Sequence, residues 1–467
     1  MTNTTVDSEL FLELGWLGGP GAVRATGRSR RLHAGVSQRV AGFDPRGAES
    51  ATLVATDETG DVSLPGPVLP TAQSDPPPSV LLIAFEHNRF GPARLPKPLS
   101  AAGFRVATLC PAKSVVGKSR YIKQRFELPE SRSSSRLEAA LVEAMRACRP
   151  KLIIPTDEQV VAWLQSLVRR AHTPARPNSG RGLLDTEMLA TLEASLGHPS
   201  RFDAMLMKSE TLKLAAEVGV RTPRSATIED SADALKVAED IGFPMYVKTS
   251  FSWAGAGVRH CPDEKTLAEM MSHSRPARFG WLRYVAKHVA DRDWYPMDTA
   301  IDLQQAIEGA PAMYTVAVHK GRVLAGFAGF ALQTQSATGP STIVRIGPHA
   351  EMAEASARLA EAMGATGFIS FDFMIEANTG KAYLLECNPR PIQIGHLGPR
   401  IGIDMCDALA RAMRGEVAPR ADAANQTTVA MFPQEWLRSP DTIAGLDAPL
   451  DVPWDDPELL RAMVSTV

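Results

Sequence analysis

The residues best placed to do chemistry lie in the segment Gly367–Arg390, GFISFDFMIEANTGKAYLLECNPR. Strand alternation sends Ile369, Phe371, Phe373 and Ile375 to one face and Ser370, Asp372 and Met374 to the other. Glu386 and Asn388, two apart, share a face of the following strand. The turn EANTGK carries Asn378 and Gly380, which suits a short hairpin loop. A hairpin symmetric about Thr379 sets Asp372 opposite Glu386, with Cβ atoms about 5 Å apart. Two carboxylates at that distance repel unless a cation lies between them, and Asn388 adds a neutral oxygen. Oxygen-only ligands suit Mg²⁺ or Mn²⁺, hard cations often shared with substrate phosphates. Arg390 follows at once, and its guanidinium can clamp a phosphoryl or carboxylate oxygen bidentately. The competing reading is an exposed hairpin with a solvated polar face. The apolar runs on both sides favour burial.

Elements upstream must position that hairpin. Val80 to Ala84, Arg105 to Leu109 and Leu152 to Pro155 read as strands. Helical spacing covers 95–102, 136–148 and 159–168. Short strands alternating with helices predict a small parallel sheet covered on both faces. Asp157 and Glu158 follow the third strand, where an open α/β sheet presents ligand contacts. They could meet an amine substrate, though a helix N-terminal acidic pair is the commoner explanation. Further on, one helix is expected over 204–218, closed by Gly219 with Pro223 beyond, then a helix over 232–241 and a strand over 245–249. Apolar runs 312–318 and 323–330 flank His319-Lys320-Gly321 as a hairpin, and a helix spans 352–363. Residues 1–77 are rich in Gly, Ser, Thr, Pro and Arg and are expected to be a poorly ordered extension.

The bulk numbers exclude several classes. Net charge is −2 and no basic run interleaves with aromatics, so a nucleic-acid partner is not expected. No apolar run approaches the ~20 residues of a membrane span, and the N-terminus lacks signal-peptide pattern. Five scattered cysteines without a C-x-x-C pair argue against a disulfide framework or structural zinc, and for a cytoplasmic setting. None of the ten histidines forms a ligand-spaced pair. Val115 to Ser119 ends like a P-loop but lacks its leading glycine, since position 112 is Ala.

The F-D-F and E-C-N-P-R strings resemble the metal-binding end of the ATP-grasp superfamily, with the motif order maintained from Arg201 to Arg414. The resemblance implies an α/β chain: an N-terminal parallel-sheet domain over 78–200, then a two-lobed ATP-grasp fold of α+β character over 201–416. Its lid lies at about 222–300, and a tail runs over 417–467. It implies ATP with Mg²⁺ (or Mn²⁺) on Asp372, Glu386 and Asn388. Lys208 and Lys248 match the family's two phosphate lysines, and SFSWAGAGV, with Ser250, Gly255 and Gly257, resembles the loop that closes over the phosphates. G-x-G alone is more often a turn. LQQAIEG resembles the adenine hinge, with Gln304 facing the exocyclic amine and the backbone of Ala306 and Ile307 reading the ring edge. Relatives often place an acidic residue after the hinge glycine; here Ala310, Pro311 and Ala312 follow.

By resemblance the reaction is carboxylate–amine ligation: a carboxylate is activated as an acyl phosphate and joined to an amine. Arg390 is expected to stabilise the transferred phosphoryl group. Arg345 is expected to bind the substrate carboxylate, an ordinary surface arginine being the equal alternative. Bicarbonate phosphorylation of the carboxylase or carbamoyl-phosphate type, and a non-catalytic ATP-binding regulator, are the other two readings. Family members are often dimers, so a homodimer is expected.

Overall fold

The computed structural model describes residues 77–466 except 131, 174–181, 229–232, 250–256, 273–293, 295–299, 337–338, 417–418 and 446. The expected N-terminal extension therefore lies outside the described residues. Three largely apolar strands and a polar edge strand build the first sheet: β1 (Ser79–Ile83), β2 (Arg105–Cys110), β3 (Gln124–Glu127, the polar edge) and β4 (Pro150–Pro155) pair in parallel, in the order β3-β2-β1-β4. All five β1 residues are buried, as a parallel strand covered on both faces requires. Leu81 and Ile83 pack with the helices Ser134–Cys148 and Glu158–His172. Val80 and Leu82 turn to the helix Pro96–Ala101 and the C-terminal segments.

One expectation fails at the next element. The spacing over 204–218 reads as one helix, but Met207 is extended (φ −95, ψ 122) and separates Phe202–Leu206 from Lys208–Glu217. Thr211 Oγ donates to Ala204 O at 2.8 Å and bridges the break, so the apolar phase survives it. The break sets Lys208 in the first turn of a new helix.

A small antiparallel sheet follows, ordered β5-β8-β6-β7, from β5 (Ser225–Ile228), β6 (Met245–Thr249), β7 (Val258–Cys261) and β8 (Ile301–Gln305). Ile241, Met245, Val247, Leu267 and Leu303 give it a core of its own. The main sheet contains β9 (Gly309–His319), β10 (Arg322–Thr334), β11 (Ser341–Gly347), β12 (Gly367–Glu376) and β13 (Ala382–Asn388). Lys320 (φ 51) and Gly321 (φ 80) make the β9–β10 turn, the left-handed pair that a two-residue hairpin favours. The unassigned tail belongs to this sheet: β14 (Ala421–Asp422) pairs with β10, and β15 (Thr427–Ala430) pairs with β11. No helix among the described residues is long and apolar enough to cross a membrane.

Candidate functional site

β12 sits between β9 and β13, and its register with β13 places Ser370 opposite Asn388 and Asp372 opposite Glu386. The hairpin is not symmetric about Thr379, however. The register slips between Asp372 and Phe373, which pairs with Leu384 rather than Leu385. The slip brings the two carboxylates level despite a turn one position off. Asp372 is held above the usual carboxylate range, first by burial and then by Glu386 across the strand. Asn388 Nδ2 donates to Asp372 Oδ2 at 3.1 Å, and Arg390 Nη2 donates to Asn388 Oδ1 at 3.0 Å.

Two buried lysines face this cluster. Lys208 Nζ lies 3.3 Å from Glu386 Oε2. Lys248 Nζ donates to Gln304 Oε1 at 2.6 Å; the lysine is 8% exposed and the glutamine 3%. Burial pulls the Lys248 pKa down to about 8, against the pull of nearby Glu386. Gln304 thus differs from its expected role: the oxygen expected to meet an adenine amine satisfies a buried ammonium, which could not stay in the interior unpartnered.

Lys208, Lys248, Asp372, Glu386, Asn388 and Arg390 line one cavity of about 530 Å³. Gln304, Ala306, Ile307 and Arg345 are not among its lining residues. Ala306 N donates to Pro244 O at 3.1 Å, and Glu308 O accepts from Ala377 N at 2.9 Å, tying the segment between β8 and β9 to both neighbouring sheets. Gly309 is required there: a Cβ would stand 2.0 Å from Ile375 O. Gly257 (φ 75) turns the chain into β7, whose Val258 lines the cavity; Ser250 and Gly255 lie outside the described residues.

The register corrects the expectation for Arg345. Arg345 pairs with Phe330, Phe330 with Ala312, and Ala312 with Phe373. Cross-strand partners share a face, so Arg345 belongs to the Phe373 face, opposite Asp372. It is exposed, with its guanidinium 4.9 Å from the centre of the Phe330 ring.

The acidic pair after β4 divides its work. Asp157 caps the helix through Val160 N (2.9 Å) and also accepts from Phe85 N (2.7 Å), fixing the turn after β1. Glu158 is 8% exposed, hydrogen-bonded to Arg390, and 3.6 Å from Arg89 Nη2. Burial opposes the Glu158 charge, yet the two arginines hold its pKa below the usual range. Arg390 keeps its proton for the reciprocal reason: burial opposes its charge, and Glu158 more than offsets it. Asn88 and Arg89, which line the cavity from the turn after β1, were missed in the sequence. The rule that open sheets bind ligands at strand carboxyl ends points to that turn as much as to the one after β4.

The donor set fits a hard divalent cation. Among the described residues no three His, Cys, Asp or Glu side chains gather as a cation site. The hairpin offers two carboxylates and one amide, a set that leaves coordination positions for phosphate oxygens and water.

Comparisons with known proteins agree with this architecture. Residues 208–287 match the family of the carbamoyl-phosphate synthase L chain, ATP binding domain. The C-terminal section of the carbamoyl phosphate synthase large chain of Aquifex aeolicus is 27% identical over 186 residues, covering 38% of this chain and 31% of that protein. The chain spans a third or less of the length of the curated relatives it matches first. Among solved structures, N5-carboxyaminoimidazole synthetase of Staphylococcus aureus complexed with ADP superposes with a TM-score of 0.54 at 14% identity, covering 75% of this chain and 81% of that one. Biotin carboxylase of Campylobacter jejuni gives 0.53 at 15% identity, covering 75% and 74%. The chain has the ATP-grasp fold of these structures.

Proposed function

We propose that this protein is an ATP-dependent ligase that activates a carboxylate as an acyl phosphate and joins it to an amine, releasing ADP and phosphate. The observation that carries the reading is the cross-strand pair Asp372–Glu386, facing two buried lysines and Arg390 in one cavity. A paired, partly buried carboxylate set beside two buried lysines is costly unless a cation and a polyanion complete it. Mg²⁺ held by Asp372, Glu386 and Asn388 would neutralise charge on the phosphoryl oxygens. Lys208 and Lys248 approach from separate elements, as neutralising a polyphosphate requires, and Arg390 is held by Glu158 and Asn388 for the group in transfer.

The reaction asks for positioning more than acid–base chemistry. A carboxylate oxygen attacks the γ-phosphorus, the bond to the β-phosphate oxygen breaks, and ADP leaves. The amine nitrogen then attacks the acyl carbon, the C–O bond to phosphate breaks, and the nitrogen's extra proton passes to solvent. The test is ADP release from MgATP with pooled amino acids and small carboxylic acids, with mass spectrometry in parallel. Amine-dependent ADP with a new amide mass establishes the ligase. The match to the carbamoyl-phosphate synthase domain favours bicarbonate as a second reading, which bicarbonate-dependent ADP without an amide would select. Failure to bind MgATP removes both. The proposal includes a homodimer in the cytoplasm, checked by sedimentation of the purified chain.

A further inference from the structure

The cavity has a second wall made of loops. Asn88 to Pro92 line it from the turn after β1, and Pro391 to Gln393 from the segment after β13. The loops touch backbone to backbone: a Cβ on Gly91 would stand 2.3 Å from Gln393 Cα. Gln393 Nε2 also donates to Ser341 O at 3.2 Å. The charged contact that joins the two loops lies just beyond them, on a residue of the tail.

Asp451 is 3% exposed and enters beside β15, its N–H donating to Ala430 O at 2.8 Å. Arg94, which closes the first loop, donates Nη2 to Asp451 Oδ1 at 3.1 Å and Nη1 to its main-chain oxygen at 2.8 Å. From beyond the second loop, His396 Nε2 lies 2.6 Å from Oδ2, and Arg400 Nη2 donates to Oδ1 at 3.2 Å. One buried carboxylate therefore serves groups from both loops. Without it, the guanidinium of Arg94 and the ring of His396 would stand in a low-dielectric region with no anion between them.

We propose that Asp451 is a positioning residue for the substrate wall of the cavity, clamping loop 88–94 to loop 391–400 from behind. The word substrate rests on the ligase reading; the clamp itself does not. Asp451 touches none of the six residues placed at the phosphate and metal end. Removing its charge should loosen one wall and leave the other intact.

The test is hydrogen–deuterium exchange on the full chain carrying Asp451→Asn, with MgADP affinity measured alongside. Exchange in peptides covering 84–94 and 391–401 should rise at least tenfold, while β6, β8 and β12 keep their protection and MgADP binds within twofold of the parent. A rise confined to the tail would overturn the proposal, as would a uniform rise across the sheets with weakened MgADP, the mark of a merely structural role. Should that variant fail to fold, Arg400→Gln removes one contact at a side chain already 40% exposed. It should raise exchange in 391–401 alone, and unchanged exchange there would equally overturn the clamp. Loss of MgADP binding by the parent protein would sink the ligase reading while leaving the exchange result to judge the clamp.

Discussion

The two walls of the cavity are built on different principles. One is carried by regular elements: Asp372, Glu386 and Asn388 on β12 and β13, Lys248 on β6, Lys208 in the first turn of a helix. Its charges are set by strand register, which moves only if a whole sheet moves. The other is carried by loops whose positions depend on ion pairs between residues as far apart as Arg94 and Asp451, 357 positions in sequence. Under the ligase reading, strands hold the groups whose placement must be accurate to a fraction of an ångström for phosphoryl transfer. Loops, under the same reading, hold the part free to differ from one substrate to another. Chemistry and specificity can then vary separately within one cavity.

The sharpest way to break that comparison is at the strand wall. Glu386→Gln keeps the shape and removes one of the paired charges. Turnover in the ADP-release assay should fall by about 100-fold or more, as when a preorganised electrostatic group is lost. Thermal unfolding should change little, because the Glu386 side chain is 30% exposed and its ion pair with Lys208 is partly solvated. Turnover within threefold of the parent would remove Glu386 from the site and leave the hairpin's carboxylates without a role.

A smaller effect comes from Lys248, where pH reports on the same wall. Burial lowers its pKa to about 8, so the free protein carries this charge below that pH and loses it above. A bound polyphosphate favours the charged form, so binding takes up a proton near and above pH 8. MgADP affinity should therefore hold steady up to about pH 7.5, then weaken by up to about tenfold per unit as pH rises. Lys248→Met should cost roughly 10- to 100-fold in affinity at pH 7, the range for a hydrogen bond to a charged group, and should flatten the pH profile. A profile that keeps its slope in the variant assigns the titration to another group.

The strand wall was legible in the sequence because its information is local. Asp372 and Glu386 lie on one hairpin, and period-two alternation with a turn signal is enough to pair them. Even there the pairing was reached through an inexact turn, since alternation cannot see the slip beside Phe373. The extended Met207 was invisible for a similar reason: Thr211 carries the helical phase across the gap. The loop wall was illegible. Nothing near Arg94 or His396 in sequence announces a carboxylate in the tail, and Glu158 showed its acidity without its partner, Arg390, 232 positions away. Gln304 was singled out by resemblance, but the buried ammonium that occupies it comes from another strand.

The smallest predicted effect tests the register itself. Arg345 shares a row with Phe330, Ala312 and Phe373, and that row faces away from Asp372. Its guanidinium covers the Phe330 ring at the sheet surface, a contact worth about 0.5–1 kcal/mol at an exposed site. Arg345→Ala should thus lower the unfolding midpoint by about 1 °C or less, given how such energies translate for a chain of this size. Turnover and the KM for every substrate should stay within twofold. A tenfold rise in the KM of the carboxylate would mean that Arg345 reaches the substrate after all. The pairing of β10 with β11 would then have to slip by one residue, because a single-residue slip is what carries a side chain from one face of a sheet to the other.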